Sequence, residues 1–128
     1  AINSGVIEAL MLNAQGQVAE ATGDNVFLVR GREIVTPPPE AGILVGITRN
    51  VVMDLAADEG YHVREMAMSR YDLYTADEVF LTGTAAEVIG VVNIDKRTIG
   101  DGKPGKVTRR LQRRFRDFAR TSGTPIDD

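Results

Sequence analysis

Three short stretches combine residue types and spacings that could do chemistry. In VAEATGDNVFLV, residues 18–29, the carboxylate of Glu20 ends one apolar run, and small or turn-forming residues lead into the next. A buried carboxylate is costly unless it is paired, and one natural partner for such an acid is a protonated ring nitrogen on a cofactor. In GILVGITRN, residues 42–50, Gly46 runs straight into a helix expected to start near Ile47. The first helical turn has unpaired N–H groups at the positive end of the dipole, Gly46 leaves room for a ligand, and Thr48 adds a hydroxyl, so the stretch could cup a phosphate. In FLTGTAAE, residues 80–87, a strand breaks at Gly83, and the small Thr84, Ala85 and Ala86 follow. Consecutive N–H groups there could face an anion, with the Thr84 hydroxyl beside them. Each stretch taken singly also has an ordinary reading: a solvated surface acid, a glycine turn before a helix, a tight connection filled with small residues.

Other features point away from chemistry. The 128 residues include no cysteine, which excludes disulfides, thiolate catalysis and Cys-based metal sites. His62 is the only histidine, so a two-histidine metal site is impossible and a structural or surface role is expected. The basic run KVTRRLQRRFRDFAR, residues 106–120, reads as the solvated face of a helix that packs Val107, Leu111, Phe115 and Phe118. With a net charge of −3, the chain gives no reason to expect nucleic acid or an anionic membrane as partner. No apolar run reaches the roughly 18 residues of a membrane span. A cysteine-free chain suits the cytoplasm. Lys103, between turn residues in DGKPG, is expected to be exposed, and Tyr71 and Tyr74 to serve packing.

The elements that must position these stretches follow from periodicity and turn residues. Residues 7–13 read as a buried strand, 14–17 as its turn, and residues 18–20 start the next strand. NVFLVRGREIVTP, residues 25–37, reads as a hairpin with Gly31 near the turn. Three consecutive prolines keep TPPPEAGILVG, residues 36–46, out of regular structure. Ile47, Val51, Val52, Leu55 and Ala56 form a helical face that Gly60 stops. A strand over residues 61–68, a short helix over 69–76 and a strand over 77–83 come next. A second hairpin, residues 86–95 with 97–100, is expected around Asp95 and Lys96, and a last helix from about Val107. The expectation is a mixed α/β domain, a twisted sheet or pseudo-barrel with helices packed outside. It covers residues 1–122, with a polar tail at 123–128.

In this order, four stretches closely resemble the C-terminal domain of branched-chain amino acid aminotransferases, fold-type IV enzymes dependent on pyridoxal 5′-phosphate. They are EALMLNAQGQVAEATGDNVFLV, TPPPEAGILVGITRNVV, YDLYTADEVFLTGTAAEVIGV and IGDGKPGKVTRRLQ, and the match runs over residues 8–118. The resemblance implies that Glu20 pairs with the pyridine nitrogen and that Leu44 lines the ring. Ile47 and Thr48, after Gly46, would hold the phosphate, which Thr84, after Gly83, would complete. The N–H groups of Thr84 and Ala85 would hold the substrate α-carboxylate. It implies exchange of the amino group between branched-chain L-amino acids and 2-oxoglutarate, and GTAAE is more like these enzymes than the D-amino-acid aminotransferases or aminodeoxychorismate lyases of the same fold.

The family's Schiff-base lysine, its phosphate-binding arginine and its active-site tyrosine precede the matched region. Lys96, Lys103 and Lys106 lie on the far side of the motifs, so no catalytic residue is assigned to this chain. The expectation is therefore a C-terminal fragment, inactive alone, whose partners are the N-terminal domain of the same protein and further copies in a homo-oligomer. The other readings are a different enzyme of the same fold and a stand-alone, non-catalytic binding domain.

Overall fold

The computed structural model describes residues 11–12, 18–21, 24–38, 47–83, 88–94 and 97–122. In chain order these form strands β1 (Met11–Leu12), β2 (Val18–Ala21), β3 (Asp24–Arg30) and β4 (Glu33–Thr36), helix α1 (Ile47–Asp58), strand β5 (His62–Glu65) and helix α2 (Arg70–Tyr74). Strands β6 (Glu78–Thr82), β7 (Val88–Val91), β8 (Asn93–Ile94) and β9 (Arg97–Thr98) follow, and helix α3 (Lys106–Ser122) ends the series. The expected mixed α/β architecture is present: seven strands form one mixed sheet that, among the described residues, stays open rather than closing into a barrel. Of the expected domain limits, the tail at 123–128 lies outside the described residues.

Strand β3 organises the sheet. Along one edge it pairs with β6 from Asn25↔Thr82 to Val29↔Glu78. Its other edge is divided, pairing with β2 at Glu20↔Asn25 and with β4 from Leu28↔Val35 to Arg30↔Glu33. Gly31, with φ of 61°, makes the β3–β4 turn that the alternating pattern around it predicts. Strand β4 ends at Thr36, where Pro37 has no N–H to continue a ladder. The buried Thr36 hydroxyl donates instead to the Val26 carbonyl at 2.7 Å.

Alternation along β3 sends neighbouring residues to opposite faces, and each face has its own core. Val26 and Leu28 join Val35, Val79, Leu81, Val91, Leu73 of α2, Ile94 and Ile99. Phe27 and Val29 join Ile34, Phe80 and Val88 under Val52 and Ala56 of α1 and Val107, Leu111, Phe115 and Ala119 of α3. Phe27 and Phe80, opposite each other in register, stack with centroids 4.9 Å apart. Both longer helices thus cover one face.

Three local expectations need correction. Ile47 does not join the packed face of α1, being 68% exposed; the buried line is Thr48, Arg49, Val52 and Ala56, while Ile47 aligns with the half-buried flank of Val51 and Leu55. The second hairpin is confined to β8 and β9, because β7 pairs with β6 in the main sheet, where it covers Phe80 and Leu81 from the free edge. Tyr71 meets Tyr74 edge-to-face at 5.8 Å but is 67% exposed, so only Tyr74 packs against the core. His62 and Lys103 are exposed, as expected.

The helices α1 and α3 are joined at one end by charge. Arg110 pairs with Glu59 at 3.1 Å, and Arg114 pairs with both Glu59 and Asp58. The basic run is therefore partly spent within the fold, with Arg120 also pairing Asp117. The amino end of α3 is capped by Glu78, whose carboxylate accepts the N–H groups of Val107 and Thr108 at 3.1 and 2.8 Å and the Thr108 hydroxyl at 2.8 Å.

Two outcomes follow from these contacts. Thr36→Val keeps the shape but leaves the buried Val26 carbonyl without its donor, so urea unfolding should show a loss of about 2 kcal/mol with an unchanged folded spectrum. Hydrogen bonds from Arg110 and Arg114 hold the Glu59 carboxyl below the usual glutamate range. A depressed folded value stabilises above the ordinary glutamate pKa of about 4.3, and that contribution is lost as pH falls through the lower folded value. In Glu59→Gln, acid titration of stability should therefore show a shallower decline below about pH 4.

Candidate functional site

The register brings several of the singled-out stretches to one edge of the sheet. Glu20 stands opposite Asn25, and Asn25 opposite Thr82, so the three occupy one row across β2, β3 and β6. Asn25 and Thr82 are 5% and 2% exposed, and they lie on the face that carries Phe27 and Phe80 under the helices. The Thr82 hydroxyl is buried and, among the described residues, has no hydrogen-bond partner. Gly83, also buried, follows it directly.

Helix α1 begins at the same edge. Strands β4 and β5 run parallel, joined by α1 in a strand–helix–strand unit, so the helix starts beyond the carboxyl ends of both. Arg49, in its first turn, marks the place. One guanidinium nitrogen donates to the Pro37 carbonyl, just past β4, at 3.2 Å and to Glu65, the last residue of β5, at 2.6 Å. Thr36 in turn bonds Val26, the neighbour of Asn25. The helix start, the end of β4 and the Glu20–Asn25–Thr82 row therefore share one side of the molecule.

Thr48 is buried in that first turn and Ile47 turns outward, which keeps a bulky side chain out of the core there. No acidic residue sits in the first turn of α1 to oppose its dipole. The free N–H groups of such a turn bind anions. Positive potential at the helix start, a buried hydroxyl with unspent capacity at Thr82 and a carboxylate residue in the same row make a set suited to a ligand carrying both a phosphate and a basic ring.

Of the candidates read from the sequence, Ile47, Thr48 and Gly83 fall among the described residues, and for Glu20 the backbone register is defined. Leu44, Gly46, Thr84 and Ala85 lie outside the described residues. The structure adds Asn25, Arg49 and Thr82. Their signal was faint: Asn25 sits among turn-forming residues, Thr82 looks like one more strand residue, and Arg49 looks like an ordinary solvated helical arginine. Among the described residues no group of three or more potential metal-binding side chains gathers, and no helix is long and apolar enough to cross a membrane.

Comparison with known proteins bears on the same residues. The model of the family described as amino-transferase class IV matches residues 1–94. The branched-chain-amino-acid aminotransferase of Pseudomonas aeruginosa is 45% identical over 118 residues, covering 92% of this chain and 38% of that protein. Among solved structures, the branched-chain aminotransferase from the thermophilic archaeon Thermoproteus uzoniensis with norvaline superposes with a TM-score of 0.83 at 41% identity, over 91% of this chain and 38% of that one. The Escherichia coli branched-chain amino acid aminotransferase gives 0.81 at 42% identity, over 88% and 37%. The chain spans about two fifths of the length of the relatives it matches. A family model covering residues 1–94, on a fold shared with these enzymes, places the chain in the class IV amino-transferase family.

Proposed function

We propose that the chain is the cofactor-binding, C-terminal part of a branched-chain amino acid aminotransferase and holds pyridoxal 5′-phosphate at the edge defined by Glu20, Thr82 and the start of α1. The observation that carries this reading is the coincidence of an acid-free helix start, the unspent Thr82 hydroxyl and the Glu20 row on one side of the sheet. Relatives bearing the branched-chain name favour it over a D-amino-acid aminotransferase or an aminodeoxychorismate lyase.

The roles are divided by chemistry. The N–H groups of Ile47 and Thr48 and the Thr48 hydroxyl hold the phosphate, with Gly46 keeping the approach open and Thr84, after Gly83, completing the cup. Leu44 forms an apolar wall beside the ring. Glu20 holds a proton on the ring nitrogen, since an opposite charge raises the pKa of a base by roughly 1–3 units. When bound, the cofactor supplies an electron sink for negative charge at the substrate α-carbon. The N–H groups of Thr84 and Ala85 orient the α-carboxylate of a branched-chain L-amino acid, with 2-oxoglutarate as the amino acceptor. An N-terminal domain of the same protein, self-association and a cytoplasmic setting complete the reading.

The lysines fit a chain that contributes no catalytic base. Lys103 and Lys106 flank the start of α3, which Glu78 caps at the amino end of β6. Thr82 closes the other end of that strand, four residues or about 13 Å away. Lys96 lies outside the described residues.

Two measurements test the proposal. Titration with pyridoxamine 5′-phosphate, followed by NMR, should shift the amides of Ile47, Thr48 and Thr84 and the signals of Glu20, and Thr48→Val should abolish or weaken these shifts; a wild-type chain that shows none overturns cofactor binding by this chain alone and leaves the family standing. The purified 128-residue chain, given L-valine, 2-oxoglutarate and the cofactor, should give no turnover above the cofactor alone. Measurable transamination would show that the chain carries its own catalytic base.

A further inference from the structure

Arg49 is only 2% exposed, yet it places a full positive charge in the first turn of a helix whose dipole is already positive there. A buried guanidinium also needs partners for its donors. Arg49 has them in part. Nη2 donates to Glu65 at 2.6 Å and to the Pro37 carbonyl at 3.2 Å, and Nη1 donates to the Asn50 side chain at 3.2 Å. Nε is buried with no partner among the described residues. Glu65 is 40% exposed, so water screens part of the charge it offers. Such a site is an expensive place for an arginine unless its shape is needed.

The shape ties three elements with one side chain. Pro37 follows β4, Glu65 ends β5, and Arg49 belongs to the first turn of α1. Nη2 alone bonds both strand ends while Nη1 bonds Asn50 in the helix, so the planar guanidinium holds the helix start relative to both strands. A lysine ammonium carries the same charge but is a compact point on a flexible stem, with no second nitrogen held in one plane to bond Asn50 while the first serves the strand ends.

We infer that Arg49 is a positioning residue for the phosphate of the cofactor, acting by holding the first-turn N–H groups of α1 in place; the inference rests on the function proposed above. It implies that charge alone does not suffice and that Glu65 is part of the device. Because the effect passes through the phosphate cup, it should spare a ligand that has the ring but no phosphate.

The test is an NMR titration of the wild-type chain, Arg49→Lys and Glu65→Ala with pyridoxamine 5′-phosphate and with pyridoxamine. Losing a charge-assisted tether should weaken binding of the phosphorylated ligand about tenfold in Arg49→Lys, with a smaller loss in Glu65→Ala and pyridoxamine affinity unchanged in both. Circular dichroism checks that each variant folds. Should Arg49→Lys fail to fold, Glu65→Ala, at the exposed end of an edge strand, decides alone. Unchanged preference for the phosphorylated ligand in the folded variants overturns the inference and leaves the proposed function standing. Tighter phosphate binding in Glu65→Ala also overturns it, since Arg49 would then act as a bare charge. A wild-type chain that binds both ligands equally overturns the inference together with the reading beneath it.

Discussion

The fold turns on the divided edge of β3. A strand with one continuous neighbour on one side and two different neighbours on the other must release the second edge partway along. Backbone groups at that release point lose their ladder partners, and buried ones are costly to leave unpaired. Thr36 and Pro37 meet the problem together: the proline ends β4, and the threonine hydroxyl serves the Val26 carbonyl. Because the chain leaves the sheet there, it can cross over through α1 and return as β5 parallel to β4. The same departure sets the start of α1 beside the polar row of Glu20, Asn25 and Thr82.

Much of this was legible from the sequence, and the parts that were not share a cause. Gly31 between two alternating apolar runs marked the β3–β4 hairpin, and the spacing of Val107, Leu111 and Phe115 marked the packed side of α3. The turn proposed to bind phosphate was visible because glycine followed by a helical pattern is a local signal. Ile47 was misassigned because a hydrophobic residue near a helical stripe looks like part of it, whereas the buried line passes through Thr48 and Arg49. Asn25, Thr82 and Arg49 were missed because their significance is non-local. Nothing in the residues around Thr82 reveals that it stands opposite Asn25, which stands opposite Glu20; only the register does. The confinement of the second hairpin to β8 and β9 was hidden likewise, since a pairing partner at β6 cannot be read from the turn at Asp95 and Lys96.

The two ends of β6 treat their polar groups differently. At Glu78 a carboxylate accepts three hydrogen bonds from the start of α3, so the dipole of that helix is met within the fold. At Thr82 a buried hydroxyl meets no partner among the described residues, and the start of α1 has no acid in its first turn. Leaving a buried polar group unsatisfied typically costs about 1–3 kcal/mol, a large share of the stability of a domain this size. Valine would fit the buried, pleated environment of β6 at least as well and would remove that cost. The helix opposite could likewise have been capped from the strand, as α3 is. One helix start capped by a carboxylate and another without an acid in its first turn, on the same sheet face, separate the end that holds the domain together from the end proposed to receive an anionic ligand.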